Sequence, residues 1–331
     1  MTSTPAISVV IPHYNAAESL EQTLDSVLAQ SQPAQEVIVV DDASPDLSQR
    51  EAARKLCGSK GVTFLGQEVN SGPGVARNVG WDHAVANGAR WVAFCDSDDT
   101  WHPSKLERQS ELLEPGVSIV GCDMVTLNRR EPFPVVDGSI RPVSITIDRL
   151  VRGNPFSTSS VILDASLPIR FTPGRNYCED YEVWGRAVAA GKAAYLPEGL
   201  CARHKAAFGA SGLSAQLKKM ARGEYDTVRR FRRDRIFSPA QYAKAAACSS
   251  PSSWHAGSCC LGWASTGPSP DEGIRAAALA PGDGRLLRGS RVPVAAGLAV
   301  RPLRWHGCGG RILRPAGDRH AVVRGGPVRA A

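Results

Sequence analysis

The run Trp91-Val92-Ala93-Phe94-Cys95-Asp96-Ser97-Asp98-Asp99 carries an apolar segment straight into three carboxylates within four positions. Carboxylates packed this closely repel one another unless a cation or strong hydrogen-bond donors offset the repulsion. A strand end holds such groups rigidly, and in open α/β sheets the ligand crevice lies beyond the carboxyl ends of the strands. Hard oxygen ligands suit magnesium or manganese, bound through one or two carboxylates and completed by water and substrate phosphate. The plainer alternative is a solvated acidic turn capping a helix that begins near His102-Pro103, since Asp is favoured at helix N-termini.

Upstream of this run the chain alternates strand and helix. Ile7 to Ile11 is a β-branched run stopped by Pro12, and Glu36 to Val40 is a second, stopped by Asp41-Asp42. Both read as buried parallel strands. Between them, Glu18 to Gln30 sets Leu20, Leu24, Val27 and Leu28 on one helical face, which makes a βαβ unit. A third strand at Val62 to Leu65 precedes Asn70-Ser71-Gly72-Pro73-Gly74, and a helix follows through Val75, Arg77, Asn78 and Trp81 to about Ala86. The expectation is an α/β fold with a mostly parallel central sheet and helices on both faces. The glycine turn lacks the spacing of a P-loop or a dinucleotide fingerprint, which argues against ATP or NAD.

Three strand ends then reach one rim: Pro12-His13-Tyr14-Asn15, Asp41-Asp42-Ala43-Ser44 and Asp96-Ser97-Asp98-Asp99. With Asn70 through Gly80 and Glu179-Asp180-Tyr181, these segments resemble the family 2 glycosyltransferases in order and spacing over about residues 6–215. The resemblance implies a GT-A fold, a nucleotide-binding half over about 6–100 and an acceptor half over about 101–215. It implies a nucleotide-sugar donor, most readily UDP-linked, a glycan or lipid-linked acceptor, and inversion. Pro12, Tyr14 and Asn15 would line the base pocket, with Tyr14 offering an aromatic face to a flat ring. Asp42 would accept hydrogen bonds from base or ribose, and Arg77, one turn into a helix behind a glycine-rich loop, would meet the diphosphate. Asp99 would be the direct ligand of Mg2+ or Mn2+, Asp98 would contact metal or ribose, and Asp96 would hold the turn. The local readings of Tyr14 as a rim aromatic and Asp42 as a helix cap stand beside these.

The resemblance makes Asp180 the catalytic base and Glu179 its supporting neighbour, at the start of a helix carrying Tyr181, Val183, Trp184 and Val188. Capping of that helix by one of the two acids is the structural alternative. Trp184 would stack on a sugar or pack in the core. The Gln-x-x-Arg-Trp signature of processive members is missing, since Trp184 is followed by Gly185-Arg186. Addition of one sugar is therefore expected. His204, after a strand at Ala193 to Leu196, falls where related enzymes place a His near the metal or diphosphate, and Ser211 and Ser214 lie in a loop suited to closing over the donor. Further strands are expected at Val117 to Val125 and Thr158 to Leu163.

Composition breaks near Cys248. Residues 1–248 hold 28 Lys and Arg against 28 Asp and Glu, whereas 249–331 hold 11 Arg, no Lys and 4 acids, so the formal charge of +7 resides in the last 83 residues. That balance removes the nucleic-acid reading that a basic chain would otherwise invite. The tail lacks Phe, Tyr, Asn, Gln and Met and shows no sustained periodicity. It reads either as a disordered basic tail or as an out-of-frame reading of GC-rich DNA beginning near residues 245–255. The expected division is a transferase domain over 1–248, including a basic helix at Gln216 to Phe237, and an irregular tail over 249–331. That helix reads either as a solvated face or as a peripheral contact with an anionic membrane.

Nine scattered cysteines, a first strand close to Met1 and no apolar run of about 18 residues point to a reducing cytoplasm, at most peripheral to the membrane. Two rival functions stand beside this one. A sugar-phosphate nucleotidyltransferase needs a glycine-rich basic signature after the first strand, which Pro12-His13-Tyr14-Asn15 does not supply. A catalytically impaired nucleotide-sugar or glycan-binding module keeps the pocket without transfer.

Overall fold

A computed structural model describes residues 5–136, 138–204 and 216–249. All of these fall in the compact unit Met1–Ala280. Ser211, Ser214 and the tail from residue 250 onward lie outside the described residues, so the readings made for them are not addressed.

The nucleotide-binding half alternates as expected. β1 (Ile7–His13), α1 (Ala17–Leu28), β2 (Glu36–Asp41), α2 (Leu47–Ser59), β3 (Thr63–Gly66), α3 (Pro73–Ala86) and β4 (Trp91–Phe94) follow in order. β3, β2, β1 and β4 lie side by side, all parallel. Beyond β4 the sheet is mixed. β5 (Asp99–Trp101), α4 (Lys105–Ser110), β6 (Val117–Thr126), β7 (Val143–Ser144), α5 (Ile147–Leu150) and β8 (Ile162–Asp164) come next. They are followed by α6 (Glu179–Ala190), β9 (Lys192–Arg203), α7 (Leu217–Arg233) and α8 (Pro239–Cys248). The sheet continues from β4 through β8, β6 and β9 to β5, with β7 also on β9. β8 runs antiparallel to both β4 and β6.

Several boundaries differ from the sequence reading for identifiable reasons. Pro12 does not stop β1, which runs to His13. The His13 carbonyl accepts the Asp42 N–H at 2.9 Å on the β2 side, so Pro12, one residue earlier, turns its missing N–H toward β4. There the ladder has already ended at Val10 opposite Phe94, and no hydrogen bond is lost. β9 likewise runs through Pro197 to Arg203, because the register shifts between Cys122 and Asp123 and a bulge absorbs the proline. Residues Thr158–Ser160 form a 3-10 turn rather than strand, and β8 begins at Ile162.

The basic helix ends at Arg233, short of Phe237. Arg235 takes φ of 60°, and the N–H groups of Ile236 and Phe237 return to the Phe231 carbonyl at 2.8 and 3.0 Å. This left-handed C-terminal turn brings the Phe237 ring to 5.1 Å from that of Phe231. The ring gains core burial that a continued helix would deny it.

Apolar clusters cover both sheet faces. Val10, Ile38, Val40 and Phe94 pack on one side with Trp81, Phe171, Trp184 and Phe231. Val9, Ile11, Val39 and Ala93 pack on the other with Leu20, Leu24, Ala53 and Trp101. Adjacent residues of one strand therefore serve opposite cores, which explains the unbroken apolar runs. Each such Val or Ile contributes about 1.5–3 kcal/mol by burial. Gly80 lets α3 lie directly on β1 and β2, because an added Cβ would collide with the Val10 side chain.

Candidate active site

The rim at the ends of β1 and β2 is built around Asp41, which is fully buried. Its carboxylate meets His13 Nδ1 at 3.0 Å, the Arg50 Nε at 3.0 Å and the Ser44 hydroxyl and N–H at 2.5 and 3.2 Å. His13 Nε2 accepts the Ala16 N–H at 3.3 Å, which places the ring hydrogen on Nδ1, donated to Asp41. The Ser44 hydroxyl oxygen in turn accepts the Asn15 N–H at 2.9 Å. Tyr14, held between these anchored neighbours, is 48% exposed.

Asp42 is also buried, and it organises the start of α3. Its Oδ1 accepts from Gln67 Nε2 at 2.9 Å and the Ser71 N–H at 2.8 Å, and its Oδ2 from the Gly72 N–H at 2.8 Å. Burial raises its pKa, the two backbone N–H groups pull it back, and Asp41 adds repulsion. Three of roughly four acceptor positions are thus filled. The remaining one, on Oδ2, is available to a ligand donor. Asn15 does not touch Asp42; its Oδ1 accepts the Asp46 N–H at 3.4 Å.

Asp96, Ser97 and Asp98 form the turn between β4 and β5, and Asp99 is the first residue of β5, opposite Arg203 of β9. The reading of a solvated cap is therefore corrected: Asp99 is buried. The Ser159 hydroxyl lies 2.5 Å from Asp99 Oδ2 and also accepts the Asp96 N–H at 2.9 Å. Burial, then repulsion by Asp96 and Asp98, pushes the Asp99 pKa up to about 8, against the pull of Ser159 and Arg203. His204 sits one residue from this point in space: its Nε2 meets the Thr100 hydroxyl at 2.9 Å and its Nδ1 the Leu127 carbonyl at 3.1 Å.

Among the described residues no three His, Cys, Asp or Glu side chains converge as a metal cage. A hard cation completed by water and phosphate needs only one or two carboxylates. Asp99, whose pKa is raised first by burial and then by repulsion from Asp96 and Asp98, is a donor whose charged form such a cation would favour. The residues fit a divalent ion bound in that manner through Asp99 with Asp98.

The acid pair at the start of α6 is reached through Arg77. That guanidinium is buried, with Nη2 at 2.8 Å from Asp96 Oδ1 and Nη1 at 3.1 Å from Glu179 Oε1. Its Nε has no hydrogen-bond partner, and its Cζ lies 5.3 Å from the centroid of the Phe171 ring. The expectation for Arg77 was a diphosphate contact; here both terminal nitrogens engage carboxylates. Neither acid caps α6, whose N-cap is Cys178 at φ 54°. Asp180 accepts the Tyr181 N–H at 2.7 Å and the Asn154 side chain at 3.2 Å. Burial and the neighbouring Glu179 raise its pKa to about 7, opposed by the Tyr181 N–H and Arg77. That value suits proton transfer near neutral pH.

Among the described residues, four non-glycine positions have positive φ, and three flank this site: Asn15, Ala43 and Cys178. Such backbone costs of order 1–3 kcal/mol and persists where surrounding contacts enforce it. Glu182 does so for the Cys178 segment, taking Arg175 Nη1 at 2.6 Å and the Thr172 hydroxyl at 3.1 Å. An open cavity of about 460 Å³, lined in part by Asn70, Ser71, Gly72 and Asn176, adjoins both Asp42's partners and the segment leading to Asp180. Trp184 takes its core alternative, buried at 5.6 Å from the Phe171 ring. Cys57, Cys95, Cys122, Cys178 and Cys201 are free thiols.

Sequence reasoning missed Asp41, Ser159 and Arg203. Asp41 had a signal only in ending a strand that is apolar on both faces. Ser159, 60 residues from Asp99, had none.

The model of glycosyl transferase family 2 matches residues 8–149. A putative teichuronic acid biosynthesis glycosyltransferase, TuaG of Bacillus subtilis, is 36% identical over 165 residues, covering 48% of this chain and 62% of the relative. WfgD of Escherichia coli, a UDP-Glc:alpha-D-GlcNAc-diphosphoundecaprenol beta-1,3-glucosyltransferase, is 30% identical over 179 residues, covering 54% and 68%. The fold matches that of Staphylococcus aureus TarS in complex with UDP-GlcNAc, with TM-score 0.56, 21% identity and coverage of 73% and 70%. It also matches the mannosyltransferase PcManGT of Pyrobaculum calidifontis in complex with GDP-Man and Mn2+, with TM-score 0.56, 20% identity and coverage of 84% and 80%.

Proposed function

The chain belongs to glycosyl transferase family 2, and from that membership we propose that it transfers one sugar from a UDP-linked donor to an acceptor hydroxyl, with inversion. The acceptor is a glycan or lipid-linked saccharide of cell-envelope polysaccharide synthesis, in line with relatives named for teichuronic acid biosynthesis (TuaG) and for a diphosphoundecaprenol-linked acceptor (WfgD). The carrying observation is the Arg77 bridge between Asp96 and Glu179, which sets the strand-end acids and the acid pair of α6 around one buried cation.

In this reading Tyr14 stacks on the base and the open acceptor position of Asp42 takes a base or ribose donor. Asp99 and Asp98 hold Mg2+ or Mn2+, and Ser159 fixes the Asp99 carboxylate. The ion, when bound, neutralises charge developing on the departing diphosphate. Asp180, deprotonated above about pH 7, takes the proton of the acceptor hydroxyl as it attacks the anomeric carbon. One carboxylate then suffices, and direct displacement inverts the centre. Arg77 and Glu179 orient the two acid clusters; His204, through Thr100, supports the turn at Asp99.

Asp180→Asn separates catalysis from binding. Transfer lost with UDP affinity retained supports the enzyme; transfer retained in the variant removes Asp180 as the base, and a wild-type chain that binds UDP but transfers no sugar leaves the binding-module alternative.

A further inference from the structure

We infer that the exposed face of α7 docks on an anionic lipid bilayer and sets the segment bearing Asp180 beside it. α7 buries Ala221, Glu224, Thr227, Val228 and Phe231. On the opposite face Lys218, Arg222, Tyr225, Arg229, Arg232 and Arg233 are exposed. Their spacing of four, three, four and then three or four residues traces one stripe along the helix, about 22 Å long at 1.5 Å per residue. No carboxylate lies within the stripe; Asp226 borders it, and Asp234, just past the helix end, pairs with Arg233 and Arg186. Among the described residues Lys218, Arg222, Arg229 and Arg232 form no ion pair.

Like charges four residues apart oppose one another on a helix, so this face gains from an extended anionic partner. Residues 1–248 are balanced in formal charge, which makes the stripe a local feature and not part of the broad positive field of a nucleic-acid-binding domain. Tyr225 within the stripe and exposed Leu217 at its start supply the side chains that favour a headgroup interface.

The face of α7 opposite the stripe is tied to the active-site segment by hydrogen bonds. Arg175 Nη2 donates to the Gly223 carbonyl at 3.1 Å and to Thr227 Oγ1 at 2.7 Å. The Thr227 hydroxyl lies 3.3 Å from the carbonyl of Cys178, the residue before Glu179, and 2.9 Å from that of Gly223, and Cys178 Sγ donates to the Met220 carbonyl at 3.5 Å. A bilayer held by α7 thus lies across that one helix from the element that positions the base. The inference deepens the transfer reading, and rests on it for one consequence: the acceptor is a saccharide carried on a membrane lipid.

The test is sedimentation of the full chain with phosphatidylcholine vesicles, with and without phosphatidylglycerol, at low and high salt. Partitioning should be at least roughly tenfold stronger with phosphatidylglycerol and should fall at high salt. The triple variant R222E/R229E/R232E should lose that partitioning while keeping wild-type UDP affinity and melting temperature. Should it misfold, the milder R222A/R229A/R232A should weaken binding in the same direction. Equal binding to both vesicle types, no binding, binding unaffected by the variants and so carried elsewhere in the chain, or a stripe-dependent preference for duplex nucleic acid overturns the inference. Failure of the transfer reading shows separately, in Asp180→Asn, and leaves vesicle binding untouched.

Discussion

Arg77 and Glu179, 102 positions apart, meet at 3.1 Å in a buried ion pair, and the other arm of the same guanidinium holds Asp96 at 2.8 Å. Removing this cation leaves two partly desolvated carboxylates facing Asp99 and Asp180. Breaking a buried pair from one side costs about 3–5 kcal/mol. Arg77→Met should lower the denaturant midpoint by a corresponding amount and abolish transfer. Arg77→Lys, with one point charge in place of a fork, should recover part of the stability and little of the activity.

Asp180 gives a pH prediction whose sign follows from its environment. The free-enzyme kcat/KM should rise with pH and level off above about 7, where Asp180 has lost its proton. Stability runs the other way. The folded pKa lies above the unfolded value of about 3.9, so the folded state binds the extra proton between these values. The resulting stabilisation is complete below pH about 3.9 and is lost as pH rises through about 7. Relative to wild type, Asp180→Asn should therefore gain stability from acid to neutral pH, as read by denaturation at a series of pH values, while transfer falls roughly 10²–10⁴-fold.

Ser159→Ala should leave the fold intact at a cost of about 1 kcal/mol, because the turn keeps its backbone bond from Ser160 to Ser157. Asp99 loses its hydroxyl donor, so Mn2+-dependent nucleotide binding should weaken by roughly 10–100-fold. Titration of Mn2+ at fixed UDP measures this, and unchanged metal dependence would remove Ser159 from the site.

Tyr14→Ala should weaken UDP binding by about 1–3 kcal/mol, the worth of one aromatic stacked on a base. Its thermal midpoint should stay near wild type, since the ring is 48% exposed.

The parallel half of the sheet was legible because its strands are apolar on both faces and end in acids, so Val9, Val10 and Ile11 announced burial before any contact was known. The half beyond β4 was less so. β5 is three residues long and owes its existence to pairing of Asp99 and Trp101 with Arg203 and Cys201 across the chain, and no local pattern encodes such a partner. Arg77 was legible as a site candidate at the start of a helix and its partners were not: Asp96 and Glu179 lie 19 and 102 positions away, and only the docking of α6 against the β4 end joins them. The proline breaks misled for a related reason. Pro12 and Pro197 are harmless where a ladder has ended or a bulge intervenes, which depends on neighbouring strands and not on the proline.

The most direct test of the account is calorimetric titration of UDP into the protein with and without Mn2+, repeated with Asp99→Asn. The account predicts binding that Mn2+ strengthens at least roughly tenfold in the wild type and not in the variant, with the metal-free variant melting no lower than the metal-free wild type, since burial raises the Asp99 pKa. Binding that is indifferent to Mn2+, or to the substitution, would contradict a metal-dependent donor site at the end of β4.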